Sequence, residues 1–271
     1  MHFDQIARKG MVLLGCGKMG SAMLAGWLKQ GLPATSVHVL EPAPSDWLCA
    51  SGVVLNGDLP DAPAVAILAV KPQVMGAALP GLVALGQGGG TLFVSIAAGT
   101  SLARLAETLG AEAPIIRAMP NTPAAVGAGI SALVGNAQVS EDDMALAEAL
   151  LSAVGQTVRL QDEEQINAVT ALSGSGPAYV FHMIEAMAGA GVAEGLEPDL
   201  AMQLARATVI GAGRLAADSV ESAEQLRINV TSPKGTTEAA LSVLMDDTTG
   251  LSPLMRRAIA AARARAQDLA Q

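Results

Sequence analysis

Apolar positions follow two rhythms along this chain. Up to residue 160, short unbroken apolar runs alternate with longer stretches in which apolar residues recur every three or four positions. The runs at 11–14, 37–40, 65–70, 91–96, 115–118, 130–134 and 156–160 predict strands. The periodic stretches at 74–85, 102–109 and 145–154 predict helices, as does an earlier one with Met23, Leu24, Trp27 and Leu28 on one side. This alternation implies a parallel sheet with helices on both faces, an α/β unit. Beyond Asp162 the strand signals stop and the chain reads as helix throughout. Apolar residues recur at Leu200, Leu204 and Leu215, with Gly211 on the same face and small residues at Ala186, Gly189, Ala190 and Ala193. The passage Ser173-Gly174-Ser175-Gly176-Pro177 interrupts one helix and starts another, and Pro198 and Pro253 also suit a first helical turn. We therefore expect an α/β domain over residues 1–161 and an all-α domain over 162–271. A small helical domain rich in Ala and Gly cannot bury both faces by itself, which predicts a dimer core.

The first strand runs into Gly15-Cys16-Gly17-Lys18-Met19-Gly20, and a helix follows. Between strand and helix, a Gly-x-Gly-x-x-Gly sequence provides a tight turn, close approach to a pyrophosphate and close helix packing. The expected domain is a Rossmann-type dinucleotide-binding unit. The second strand ends in Glu41, twenty-one positions after Gly20, where an acid accepts from a ribose 2′-hydroxyl. A carboxylate repels a 2′-phosphate, and no Lys or Arg follows between Glu41 and Asp46, so this residue favours NADH over NADPH. Two further strand ends carry rigid or polar residues at the ligand-binding edge of such a sheet: Lys71-Pro72 after Val70, and Arg117 to Pro123, with Asn121 within it. Together they suggest walls of a nicotinamide pocket.

The most polar, turn-rich passage is Asn229-Val-Thr-Ser-Pro-Lys-Gly-Thr-Thr-Glu-Ala-Ala-Leu241, which leads into a helix with Ala240, Val243 and Leu244 on one face. Thr236 or Thr237 is a natural N-cap, and Gly235 lets backbone approach a ligand closely. First-turn N–H groups have no partner inside the helix, and a carboxylate docked on them gains roughly 0.3–1 kcal/mol from the dipole.

Composition narrows the remaining options. Of the 271 residues 51% are hydrophobic but only 2% aromatic, so the core must be aliphatic. The mean hydropathy of +0.42 raises a membrane question, yet charges, Gly or Pro break every run before the roughly 18 apolar residues a spanning helix needs. Leu13-Leu14-Gly15-Cys16 resembles a lipoprotein cleavage site, but only residues 11–14 precede it as an apolar core, too few for a signal peptide. Cys16 and Cys49 have neither metal spacing nor a framework of pairs, which fits free thiols in a reducing cytoplasm. The net charge of −9 argues against nucleic acid as a partner. Arg256, Arg257, Arg263 and Arg265 lie near the end of a helical pattern, where cations suit the dipole.

No metal pair or nucleophile elbow is present, and no metal is expected. His2, His38 and His182 neighbour no obvious partner and read as structural. The chemistry should then belong to a cofactor, with the protein supplying position and electrostatics.

Several motifs coincide with one family. Gly15 to Gly20, Ala69-Val70-Lys71-Pro72, Met119-Pro120-Asn121-Thr122-Pro123, Ala171-Leu172-Ser173-Gly174-Ser175-Gly176-Pro177-Ala178-Tyr179, and Val230-Thr231-Ser232-Pro233-Lys234-Gly235-Thr236-Thr237 make the chain resemble pyrroline-5-carboxylate reductase. The last two are the specific ones. The resemblance implies a Rossmann domain, a helical dimerisation domain and often a ring of five dimers, a homodecamer. It implies reduction of 1-pyrroline-5-carboxylate to L-proline with NADPH or NADH. It also implies a cofactor site of Gly15, Cys16, Gly17, Lys18, Met19, Gly20, Glu41, Asn56, Ala69, Val70, Lys71, Pro72, Ala97 and Asn121. The substrate loop maps onto Ser232, Gly235, Thr236 and Thr237. Two positions depart from the family pattern. Lys234 stands where a second glycine is common, and Glu41 stands where NADPH users tend to carry small or basic residues.

On this reading the N–H groups of Gly235, Thr236 and Thr237 hold the substrate carboxylate, and the Thr237 hydroxyl contacts the ring nitrogen as the catalytic group. Threonine is too weak an acid to protonate an imine, so the proton comes from solvent. Two other readings use the same fold: another imine or 2-hydroxyacid reductase, for which a Lys or Asp acid would be expected on the long helix, and a non-enzymatic dinucleotide-binding regulator.

Overall fold

The computed structural model describes residues 2–87 and 90–269. The chain begins with α1 (His2–Lys9), β1 (Met11–Leu14), α2 (Lys18–Lys29), β2 (Val37–Leu40), α3 (Asp46–Ala50), β3 (Val54–Leu55) and β4 (Val65–Leu68). It continues through α4 (Pro72–Ala78), α5 (Val83–Gln87), β5 (Leu92–Ser95), α6 (Leu102–Leu109), β6 (Ile115–Met119), β7 (Gly129–Gly135), α7 (Glu141–Leu151) and β8 (Gly155–Arg159). Then come α8 (Gln165–Val169), a π turn (Thr170–Gly174), α9 (Gly176–Ala193), α10 (Pro198–Asp218), α11 (Ala223–Asn229), α12 (Thr236–Leu244) and α13 (Leu251–Leu269).

The strands form one sheet in the order β3-β2-β1-β4-β5-β6-β7-β8. The first six give the 3-2-1-4-5-6 order of a doubly wound dinucleotide fold, whose strand order reverses between β1 and β4. Alternating side chains send Met11 and Leu13 into one apolar layer, with Met23, Leu24, Trp27 and Leu150. Val12 and Leu14 enter the other, with Met75, Leu82, Leu105 and Leu109. Trp27 is fully buried, and its indole N–H donates to the Leu150 carbonyl at 2.8 Å, so α2 and α7 are tied by a satisfied polar contact inside the apolar layer.

Three local features differ from the pattern of apolar runs. The stretch at 74–85 is not one helix: Pro80 lacks an N–H, and a 3₁₀ turn (Leu79–Leu82) separates α4 from α5. The two-residue β3 is too short to be read as an apolar run, yet it pairs with His38 and Val39 at the sheet edge. The sheet is parallel through β6, but β7 pairs antiparallel with β6, and β8 then runs parallel to β7. The cause is connection length. Residues 120–128 hold only a 3₁₀ turn (Thr122–Val126) ending at the left-handed Gly127, fewer residues than the dozen or more of a parallel crossover.

By packing, the chain divides into two compact units, Met1–Gly174 with Ala262–Gln271, and Ser175–Ala261. In the second unit α9 and α10 pack through small residues. Ala188, Ala201 and Ala205 are buried there, and a Cβ on Gly191 would lie 3.3 Å from the Ala201 Cβ. Its larger apolar side chains face outwards instead: Phe181 is 61% exposed, and Leu204, Ile210 and Leu215 are exposed as well. No helix among the described residues is long and apolar enough to cross a membrane.

Candidate active site

The glycine loop forms at the reversal point because its backbone tolerates what side chains would not. Gly15 has φ +87°, and its N–H donates to the Leu40 carbonyl at 2.8 Å. A Cβ on Gly15 would sit 2.7 Å from Val70 Cγ1, and one on Gly20 would sit 2.7 Å from the Gly15 carbonyl oxygen. At Gly17, by contrast, a Cβ would meet nothing within 4 Å, so that glycine faces open space. Gly17 is also the N-cap of α2 and supplies no side-chain acceptor for the first-turn N–H groups. A close-packed turn that leaves uncapped N–H groups facing open space fits a pyrophosphate.

Glu41 points into this cradle. Its Oε2 accepts from the Cys16 N–H at 2.8 Å and its Oε1 from the Ala43 N–H at 3.1 Å. Ala69 and Val70 lie against Gly15, and the Ala69 N–H donates to the Leu14 carbonyl at 2.8 Å. Lys71 and Pro72 open α4, with Lys71 as an N-cap that makes no side-chain bond. Lys18 begins α2 exposed, and Met19 packs partly on the core. Ala97, buried, follows β5, and Asn121 follows β6, further along the same strand-end edge.

The two amides expected at the cofactor site are engaged with the protein itself. Asn56 binds the backbone of Glu41 through both side-chain atoms. Asn121, nearly buried, donates from Nδ2 to the Ser173 carbonyl at 3.1 Å and accepts from the Ile130 N–H at 2.9 Å, joining the β6–β7 turn to the π turn. Both amides therefore brace loops. Close by, the buried Arg117 donates to Glu163 Oε1 at 2.8 Å, and the same oxygen accepts the first-turn Leu102 N–H of α6 at 2.8 Å. Nothing local in the sequence marks the partners of these groups, which lie 9 to 61 positions away.

The Cys16 thiol is pushed up to about 11, first by burial and then by the Glu41 carboxylate. Near neutral pH its thiolate is about a hundredfold scarcer than that of an ordinary thiol. Iodoacetamide is therefore expected to alkylate the exposed Cys49 well before Cys16, as read from the masses of the two peptides. Glu41→Ser should speed the Cys16 reaction. Equal rates at both cysteines in the unmodified protein would contradict this account.

The second cluster lies on the other unit. Ser232, Pro233, Lys234 and Gly235 form a β-turn in which the Gly235 N–H donates to the Ser232 carbonyl at 3.0 Å. Lys234 is left-handed at φ +59°, which explains why a glycine would also suit that position. The structure corrects two expectations here. The N-cap of α12 is Gly235 and neither threonine, because the chain is still extended there and turns helical at Thr236. The Gly235 N–H is closed within the turn and is not available to a ligand. Beside the loop, Glu238 Oε2 accepts the Lys234 N–H at 2.6 Å, the third helical residue reaching back as in a capping box. What remains open is the set of N–H groups of Thr236, Thr237 and Glu238, which have no side-chain cap and, by helix geometry, no intrahelical acceptor. Thr237 is half-buried and Ser232 and Thr236 are exposed.

The remaining polar groups have local explanations. His38 Nδ1 lies 2.9 Å from the Asp58 carbonyl, and His182 pairs with Glu185 on an exposed helix face. The reading of the His2 side chain falls outside the described residues. Among the described residues, no cluster of three or more His, Cys, Asp or Glu is placed to hold a metal ion.

Comparison with known proteins places both parts of the chain in known families. Residues 163–269 match the family model described as pyrroline-5-carboxylate reductase dimerisation, and residues 11–99 match one described as NADP oxidoreductase coenzyme F420-dependent. A pyrroline-5-carboxylate reductase of Pseudomonas aeruginosa is 40% identical over 96% of this chain and 97% of its own length. One from Synechocystis is 41% identical over 95% and 97%. The solved structure of a pyrroline-5-carboxylate reductase from Coxiella burnetii superposes with a TM-score of 0.91 at 34% identity, covering 97% of this chain and 99% of that one. A Plasmodium falciparum pyrroline carboxylate reductase, solved with NADP bound, gives a TM-score of 0.81 at 26% identity, covering 97% and 98%.

Proposed function

The chain belongs to the pyrroline-5-carboxylate reductase family, and we propose which of its residues carry the reaction. It is an NAD(P)H-dependent oxidoreductase that reduces the C=N bond of 1-pyrroline-5-carboxylate to give L-proline, the last step of proline biosynthesis. It functions as a homo-oligomer on a small-molecule substrate.

The residues 1–161 hold the dinucleotide and 162–271 supply the dimer surface and the substrate loop. The pyrophosphate lies on the N–H groups that open α2 at Gly17 to Gly20, with Glu41 at the ribose. Ala69 to Pro72, Ala97 and the turn braced by Asn121 wall the nicotinamide end. The substrate carboxylate docks on the N–H groups of Thr236 and Thr237, and the Thr237 hydroxyl orients the ring nitrogen. The bound cofactor supplies hydride to the C=N carbon. Glu238 already accepts the Lys234 N–H, and the threonine hydroxyl is too weak an acid, so the nitrogen takes its proton from solvent. The chain's own contribution is placement.

One observation carries this assignment: a helix start with uncapped first-turn N–H groups, Thr236 and Thr237 among them, shaped by a turn that closes the Gly235 donor internally. The exposed apolar face of α9 and α10 packs against a second copy, and five such dimers form a decamer in the cytoplasm. The acidic surface disfavours nucleic acid.

Steady-state assays with pyrroline-5-carboxylate, pyrroline-2-carboxylate and a 2-hydroxyacid test the reading. Turnover of the first, with the others at least about tenfold slower, is the expected result. Preferred turnover of either of the others would reassign the substrate.

A further inference from the structure

The Asn56 side chain closes a cyclic pair with the backbone of Glu41. The Glu41 N–H donates to Asn56 Oδ1 at 2.9 Å, and Asn56 Nδ2 donates to the Glu41 carbonyl at 2.9 Å. Asn56 is itself anchored, with its N–H donating to the Val39 carbonyl at 2.8 Å, and it sits at φ +49°, a left-handed conformation that asparagine adopts more readily than most residues. The backbone of residue 41 is thus fixed from the far side of the strand end, and its carboxylate is fixed from the near side by the N–H groups of Cys16 and Ala43.

An ionised carboxylate has about four lone-pair sites. The two backbone bonds use one on each oxygen and leave one on each. Two adjacent open acceptors match the two hydroxyl donors of an unmodified ribose. A 2′-phosphate lacks that donor pair and brings about −1.5 to −2 charges against a fixed anion. Residues 41–57 contain no Lys or Arg but two acids, Glu41 and Asp46. Among the described residues no Lys or Arg is ion-paired with Glu41. A carboxylate on a loose loop can swing aside to admit a phosphate. This one would have to give up its bonds to the Cys16 and Ala43 N–H groups, while the Asn56 pair keeps the backbone of residue 41 from moving with it.

We propose that Asn56 is a positioning residue which, by holding Glu41 in the cradle, makes this chain select the 2′-hydroxyl dinucleotide, NADH, over NADPH. The proposal rests on the dinucleotide reading of the glycine loop and not on the identity of the imine.

The test is calorimetric binding of ADP-ribose and 2′-phospho-ADP-ribose to the intact protein, to Glu41→Ser and to Asn56→Gly. Glycine accepts the left-handed backbone at residue 56 and removes only the amide brace. The unmodified protein is expected to bind ADP-ribose at least about tenfold more tightly, given like charges a few ångströms apart. Glu41→Ser should bring the ratio to about one or invert it. Asn56→Gly should lower the ratio by about threefold or more without changing the melting temperature, whereas a purely structural residue would weaken both ligands alike. Preference of the unmodified protein for the 2′-phosphate, no binding of either ligand, or a ratio unmoved in either variant would overturn the proposal. Selective binding by a protein that fails to reduce pyrroline-5-carboxylate would instead refute the activity and leave the selector intact.

Discussion

Replacing Thr236 with proline is expected to raise the Michaelis constant for pyrroline-5-carboxylate by about 10- to 100-fold, since a hydrogen bond to a charged group contributes roughly 1.5–3 kcal/mol. The substitution is chosen for what it leaves alone. Thr236 is the first residue of α12, where proline is favoured because its missing N–H has no intrahelical acceptor. The preceding Gly235 is already extended at φ −90°, ψ 174°, the conformation that a residue before proline adopts. The helix should therefore form as before with one donor deleted from the carboxylate site. Thr236→Ala isolates the hydroxyl, and only a difference between the two variants reports on the N–H. Thr237→Ala should lower kcat/KM by about tenfold through loss of a half-buried hydroxyl. Dinucleotide affinity, measured by fluorescence titration, should be unchanged in all three. An unaltered Michaelis constant in Thr236→Pro would place the substrate carboxylate elsewhere.

The second large effect separates fold from ligand within the glycine loop. Gly17→Ala is expected to weaken dinucleotide binding by about 10-fold or more with no change in melting temperature, because the second glycine of such a loop is there to let the pyrophosphate approach. Gly17 has φ −69°, and its added methyl would meet no protein atom, only the space a ligand would fill. Gly15→Ala should also abolish binding, but by a different route. Its φ of +87° is costly for alanine, and the methyl would press on Val70 Cγ1 at 2.7 Å and on the Ala69 carbonyl oxygen at 3.0 Å. That strain, about 1–3 kcal/mol, should lower the melting temperature by several degrees. A Gly17→Ala protein that binds NADH normally would show that the pyrophosphate does not lie on this loop.

How much of this was readable from the chain depends on the range of each interaction. The glycine loop is a local device: strand, three glycines and helix are adjacent in sequence, and the acid ending β2 follows from strand period and chain reach. The reversal at β7 is also local, but its signal is the shortness of residues 120–128, which the apolar pattern does not weigh. The cap of α12 is ambiguous in sequence because two threonines and a glycine compete within three positions, and only the backbone angles decide where extension ends. The roles of Asn56 and Asn121 were the least accessible. An amide that binds a ligand and an amide that binds a neighbouring loop look alike in sequence, and only the fold brings Asn56 to Glu41 or Asn121 to Ser173. The helical half showed both its periodicity and, through its wealth of Ala and Gly, a face it cannot bury alone; only the fold shows that Phe181, Leu204, Ile210 and Leu215 are the large side chains left exposed.

The distribution of indoles has a practical consequence. The chain has two tryptophans, Trp27 sealed beneath α7 and the exposed Trp47 on α3, and both belong to the dinucleotide unit. Intrinsic tryptophan emission therefore reports on that unit and on the melting of its sheet. No tryptophan lies on α9 to α12, so unravelling of those helices unfolds no indole-bearing element, and far-ultraviolet circular dichroism is their direct readout.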